Sequence, residues 1–133
     1  MRHDRMRNVS AVLVLVLLVG AWACASTPLG KAVQAADAQK QLVEASADEF
    51  ARLYLNKAIS VETYRQGKDA YQTWAKGETA LAKSLAEWKR LQDKDSGARL
   101  SQALADVGAL ASAYLDFVGR FVDVPALAKR LGQ

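Results

Sequence analysis

Residues 100–121 read LSQALADVGALASAYLDFVGRF, and the spacing of their apolar side chains decides the fold. Leu100, Ala103, Leu104, Val107, Leu110, Ala111, Tyr114, Phe117, Val118 and Phe121 recur mostly at steps of three and four, the period of one face of an α-helix. Period-two alternation, which a half-buried strand needs, is never sustained. Toward the N-terminus the helical pattern returns twice. Val61, Tyr64, Tyr71, Trp74, Ala75, Leu81, Ala82, Leu85, Trp88 and Leu91 form a second stripe. Leu29, Val33, Ala36, Val43, Ala47, Phe50, Tyr54 and Ala58 form another, with Lys40 the one charge that interrupts it.

The breaks between stripes are short. Thr27-Pro28 predicts a helix start, with the Thr hydroxyl as N-cap and Pro at the first helical position. Asn56 to Ser60 is a weak break, and Ser60 can cap a restart in which Glu62 favours the positive end of the helix dipole. Asp93-Lys94-Asp95-Ser96-Gly97 predicts a turn, with Asp95 or Ser96 capping the next helix. Asp123-Val124-Pro125 predicts the end of that helix, and Ala126 to Leu131 can add one or two amphipathic turns. Gly67 and Gly77 lie inside the second stripe and cost about 1 kcal/mol each relative to Ala, which packing of the large aromatics has to offset. The expected fold is all-α: an antiparallel three-helix bundle with long helices and a short C-terminal helical turn, preceded by an N-terminal signal helix. Heptad spacing at 29/36/43/50 and 100/107/114/121 favours shallow, coiled-coil-like crossing.

At 133 residues the chain is long enough for one small domain and too short for two. With 51% apolar residues and only two Pro it is neither disordered nor collagen-like. The net charge of +4 hints at an acidic partner, yet residues 1–23 hold Arg2, Arg5 and Arg7 against Asp4. The remaining 110 residues carry 15 basic and 13 acidic side chains and are close to neutral. His3 is the only His and Cys24 the only Cys, so the chain beyond Cys24 has neither imidazole nor thiol for chemistry near neutral pH.

The N-terminus reads as an export signal. MRHDRMRNVS (1–10) is basic, AVLVLVLLVG (11–20) is apolar and uncharged, and AWACAS (21–26) offers small residues for cleavage. The uncharged run from Val9 to Ala25 is barely long enough to cross a bilayer, and the arginines before it place the N-terminus in the cytoplasm. Val19-Gly20-Ala21-Trp22-Ala23-Cys24 resembles the signal of bacterial lipoproteins, whose cysteine is lipidated and becomes the first residue after cleavage. That resemblance implies cleavage between Ala23 and Cys24, lipid on Cys24, and a short polar tether, Ala25-Ser26-Thr27-Pro28. The domains it implies are a signal peptide (1–23), a lipidated Cys with tether (24–28) and a helical bundle domain (29–133). Ala25 after the cysteine resembles the pattern of lipoproteins passed to the outer membrane rather than retained at the inner membrane. Two other readings of the same residues remain: Ala21-Trp22-Ala23 as an A-x-A site for ordinary signal peptidase, and an uncleaved anchor.

Residue patterns that could carry chemistry fail one by one. In DKDSG (93–97), an EF-hand loop would need Gly at position 6 and an acidic residue at 12, whereas Gly97 falls at 5 and Leu104 at 12. Ser84 beside Lys83 cannot form a dyad, because neighbours on a helix point about 100° apart. Gly30-Lys31 and Gly67-Lys68 lack the flanking residues of a phosphate loop. No His/Cys metal set and no Glu-x-x-His pair exists, so neither metal nor cofactor is expected. Lys76, Lys83, Lys89, Arg90, Lys94 and Arg99 are interleaved with Glu78, Glu87, Asp93 and Asp95, a mixed solvated face rather than a nucleic-acid footprint. Lys129-Arg130 beside Leu127 and Leu131 could touch lipid headgroups, but so short a segment buries little area. Tyr64, Tyr71, Trp74 and Trp88 could make a stacking platform; their helical spacing favours core packing, with a marginal ring left for a partner.

The overall layout, with Tyr54-Leu55-Asn56-Lys57-Ala58-Ile59-Ser60-Val61-Glu62-Thr63-Tyr64 as its sharper element, resembles small lipoproteins of bacteria and prophage-like regions. That group supplies no activity to carry over. The expectation is a non-enzymatic, membrane-anchored helical module that binds an envelope protein or another copy of itself. The alternatives are a phage-type envelope function, in superinfection exclusion or lysis, and a soluble secreted module.

Overall fold

The computed structural model describes residues 27–133. Ala23, Cys24 and the expected signal helix lie outside the described residues. Helix α1 spans Pro28–Leu55, α2 Val61–Leu91, α3 Lys94–Val118 and α4 Val124–Arg130, and the described residues include no strand. The three long helices alternate in direction through short turns, which makes the antiparallel bundle that the stripes predict.

Local chemistry sets the helix ends. The Gly30 N–H donates to Thr27 Oγ1 at 3.0 Å, with Pro28 opening α1, and the Thr63 N–H donates to Ser60 Oγ at 3.0 Å. At the start of α3 the cap is Asp93, not Asp95 or Ser96. The Ser96 N–H donates to Asp93 Oδ1 at 2.7 Å while the Asp93 N–H donates to Ser96 Oγ at 3.2 Å. This reciprocal box places Lys94 to Gly97 inside the first helical turn, and Gln92, in the left-handed region at φ 49°, makes the turn instead. The Ser96 N–H also holds the Asp93 carboxyl below the usual carboxylate range.

Helix α3 ends at Val118, five residues before the predicted stop. The Phe121 and Val122 N–H groups both donate to the Val118 carbonyl, so the chain turns and Val122 drops into the core. Asp123 then caps α4 through the Ala126 N–H, and Pro125 opens a helix instead of closing one.

Helix α3 is the centre of the molecule. It packs most extensively on α2 and next on α1, while α1 and α2 approach each other over a much shorter length. The core consists of Val43 and Phe50 from α1, Trp74 and Leu81 from α2, and Leu100, Val107, Ala111, Tyr114 and Val118 from α3. Helix α4 folds back over α1 and buries Leu127, and Gln133 Nε2 donates to the Ala38 carbonyl at 2.7 Å. Near the α2–α3 turn, Arg99 pairs with Glu87 at 2.6 Å.

Candidate functional site

The topology gathers the end of α1, the start of α2, the end of α3 and the start of α4 at one end of the bundle, opposite residue 27. Aromatic rings fill this distal end. Tyr54 stacks on Tyr64 with centroids 4.2 Å apart, Tyr64 on Phe50 at 5.9 Å, and Phe50 meets Phe117 and Phe121 at 6.0 and 5.9 Å. The Arg120 guanidinium lies 5.7 Å from the Phe117 centroid. Gly67 makes the cluster possible: a Cβ there would lie 2.3 Å from Phe50 Cε2, so the ring rests on the α2 backbone.

Among the described residues, three of the four exposed large apolar side chains lie at this end: Leu55, 74% exposed, Val61, 53%, and Phe121, 40%. The fourth, Leu91, is at the other end. Val61, Leu91 and Phe121 are stripe positions in the sequence, but they fall where the partner helices have already stopped.

Just inside the distal end, a cavity of about 350 Å³ opens between α1 and α2. Its walls are the rings of Phe50, Tyr64, Tyr71 and Tyr114, and its rim carries exposed Asp48 and Lys68. Tyr71 meets Tyr114 edge-on at 5.8 Å. Burial, then the Glu44 and Asp48 carboxylates, push the Tyr71 phenol up, with Lys40 opposing them. Tyr114 is pushed up more strongly, again by burial first, with Tyr71, Tyr64 and Asp48 adding to it. Both phenols are therefore neutral at any physiological pH.

Further along the α1–α2 seam, Glu78 has a buried Oε2 with no hydrogen-bond partner. Burial raises its carboxyl above the usual range; Lys40 opposes the shift while Asp37 and Glu44 reinforce it. Trp74 Nε1 and Ser46 Oγ are also buried without a partner. Two shallower grooves are lined mainly by small side chains. One of about 740 Å³ between α1 and α3 includes Ala32, Ala36, Ala105 and Gly108, and one of about 670 Å³ between α2 and α3 includes Gly77, Ala80 and Ala103.

Of the residues that sequence singles out, Trp74 is core, whereas Tyr64, Tyr71 and Trp88 are only half-buried, and Tyr64 and Tyr71 line the cavity. Phe50 and Tyr114 complete its walls, and sequence alone assigns them to the core stripes without marking a cavity. Ser84 lies in the α2–α3 groove while Lys83 is exposed. Among the described residues no group of three or more His, Cys, Asp or Glu is placed to hold a metal ion, and no helix is long and apolar enough to cross a membrane. Comparison with known proteins returns no family model, curated protein or solved structure that matches the chain.

Proposed function

We propose that this chain is a non-enzymatic lipoprotein of the bacterial cell envelope, held to a membrane through lipid on Cys24 and acting as a helical binding module. The observation that carries the binding role is the clustering of exposed Leu55, Val61 and Phe121 at the bundle end remote from residue 27. A 28-residue α1 rises about 42 Å at 1.5 Å per residue, so a tether at Cys24 presents this patch well clear of the lipid surface. The partner is an envelope protein or a second copy of the chain. An outer-membrane leaflet fits Ala25 after the cysteine. Two or more acyl chains give firm anchoring where one gives only marginal binding.

Intact mass of the membrane-extracted protein, compared with Cys24→Ser, tests the anchor. The expected species begins at Cys24 and is heavier by a diacylglyceryl group, and Cys24→Ser releases the exported chain from membranes. An unmodified chain beginning at Cys24, or one retaining residues 1–23, overturns it. A photo-crosslinking side chain at Leu55 is expected to trap a discrete adduct that Phe121→Ser weakens. The absence of any adduct, self or foreign, overturns the binding role.

A further inference from the structure

We infer that the cavity between α1 and α2 is a binding site for a small organic cation, an ammonium group carried on an apolar body. Four rings from three helices line it. Phe50 and Tyr114 are 2% and 1% exposed, so the accessible ring surface comes from half-buried Tyr64 and Tyr71. These two are held in place where Phe50 stacks on Tyr64 and Tyr71 meets Tyr114 edge-on. Gly67, with Phe50 pressed on its backbone, keeps this wall in place without a ligand. A site whose aromatic faces are already ordered loses little entropy when it is filled. Its volume of about 350 Å³ lies at the small end of ligand pockets.

The charges select the class of ligand. Aromatic faces attract cations through the ring quadrupole, and the effect grows when the cation is desolvated. Asp48 stands at the rim and no Lys or Arg pairs with it within 4 Å among the described residues. Its carboxylate weighs on both Tyr71 and Tyr114, and Glu44 adds to the negative field at Tyr71. Two cations oppose this field. Exposed Lys68 stands at the rim and is not among the charges that weigh on either phenol. Exposed Lys40 partly offsets the two carboxylates at Tyr71 but does not weigh on Tyr114. The neutral Tyr hydroxyls supply acceptors but no anion. An anionic ligand would face Asp48 at the rim, with the solvated Lys68 and Lys40 in its favour.

Choline and its neutral carbon isostere dimethylbutanol share shape and differ in charge, so together they isolate the proposal. Titrated into the full chain in a non-ionic detergent and followed by ligand-observed NMR, choline is expected to bind about tenfold more tightly than dimethylbutanol. Asp48→Asn removes a charge from an exposed position and is expected to weaken choline several-fold while leaving dimethylbutanol unchanged. Ala47→Leu fills the cavity from its α1 wall and is expected to abolish both, with helicity checked by circular dichroism. Lys68→Gln is expected to tighten choline. Equal binding of the isostere, a preference for benzoate, choline binding indifferent to Asp48→Asn, or no binding of choline each overturns the inference.

Discussion

Gly67 and Gly108 are both helical glycines, and an added methyl group meets opposite surroundings at the two. At Gly67 it collides with the Phe50 ring, itself 2% exposed and hemmed in by three other aromatics; at Gly108 nothing lies within 4 Å. Helix propensity alone ranks Ala above Gly at both sites by about 1 kcal/mol. Packing reverses the order at Gly67, where Gly67→Ala is expected to lose about 1–3 kcal/mol, whereas Gly108→Ala gains about 0.5–1 kcal/mol. Urea denaturation of the two variants checks both signs, and a stabilised Gly67→Ala would contradict the packing described. Lys57 poses the converse case. It holds φ 60° just after α1, where its N–H donates to the Tyr54 carbonyl and the Ala58 N–H to the Leu53 carbonyl. Gly132, at φ 81°, makes the same pair of bonds after α4 without a side chain to strain. Lys57→Gly is expected to raise the unfolding free energy by about 0.5–1 kcal/mol, read by thermal denaturation. Sequence marks Gly67 only as a weak point, because the atom that needs its missing Cβ sits 17 positions away in another helix.

For the helices as elements, the stripes are legible because periodicity reports a local property, which face of a helix is apolar. Their ends are less so. Ala58, Val61, Leu91 and Phe121 extend the pattern past the point where a neighbouring helix can cover them, and coverage depends on lengths and crossings that no single stripe encodes. The start of α3 shows a second reason: Asp93, Asp95 and Ser96 all have capping side chains, and only the reciprocal bonds of Asp93 with Ser96 select one. The α1–α2 seam carries polar residues that no stripe includes. Glu78 titrates above its usual pKa through burial there, so its ionised form is disfavoured in the folded state. Wherever pH lies between the unfolded and the raised folded pKa, the native state binds more protons and stability falls as pH rises. Glu78→Gln is therefore expected to be more stable than the parent at neutral pH, with the difference closing below about pH 4, where the unfolded carboxyl is also protonated. Denaturant midpoints at the two pH values check it, and a Glu78→Gln variant less stable at neutral pH would reverse the sign.

At the scale of the whole molecule, fold class is legible and the site is not. Four rings become a cavity only because Phe50, Tyr64, Tyr71 and Tyr114, from three different helices, are brought to one place, a relation that appears only after assembly. The central position of α3 also has a temporal side. A chain is made from its N-terminus, and α1 has little contact with its immediate successor. Its main partner is α3, completed at Val118, while its contacts with α2 and α4 are similarly slight. Phe50 meets Gly67 and Tyr64 of α2 early, but the part of the α1 face that packs on α3 waits until the chain has emerged as far as Val118. Helices α2 and α3, joined by the shortest turn, can pair as soon as both have been made. The first of the described helices to emerge is thus among the last to be fully buried, and much of its apolar stripe stays available to whatever meets the chain before the bundle closes.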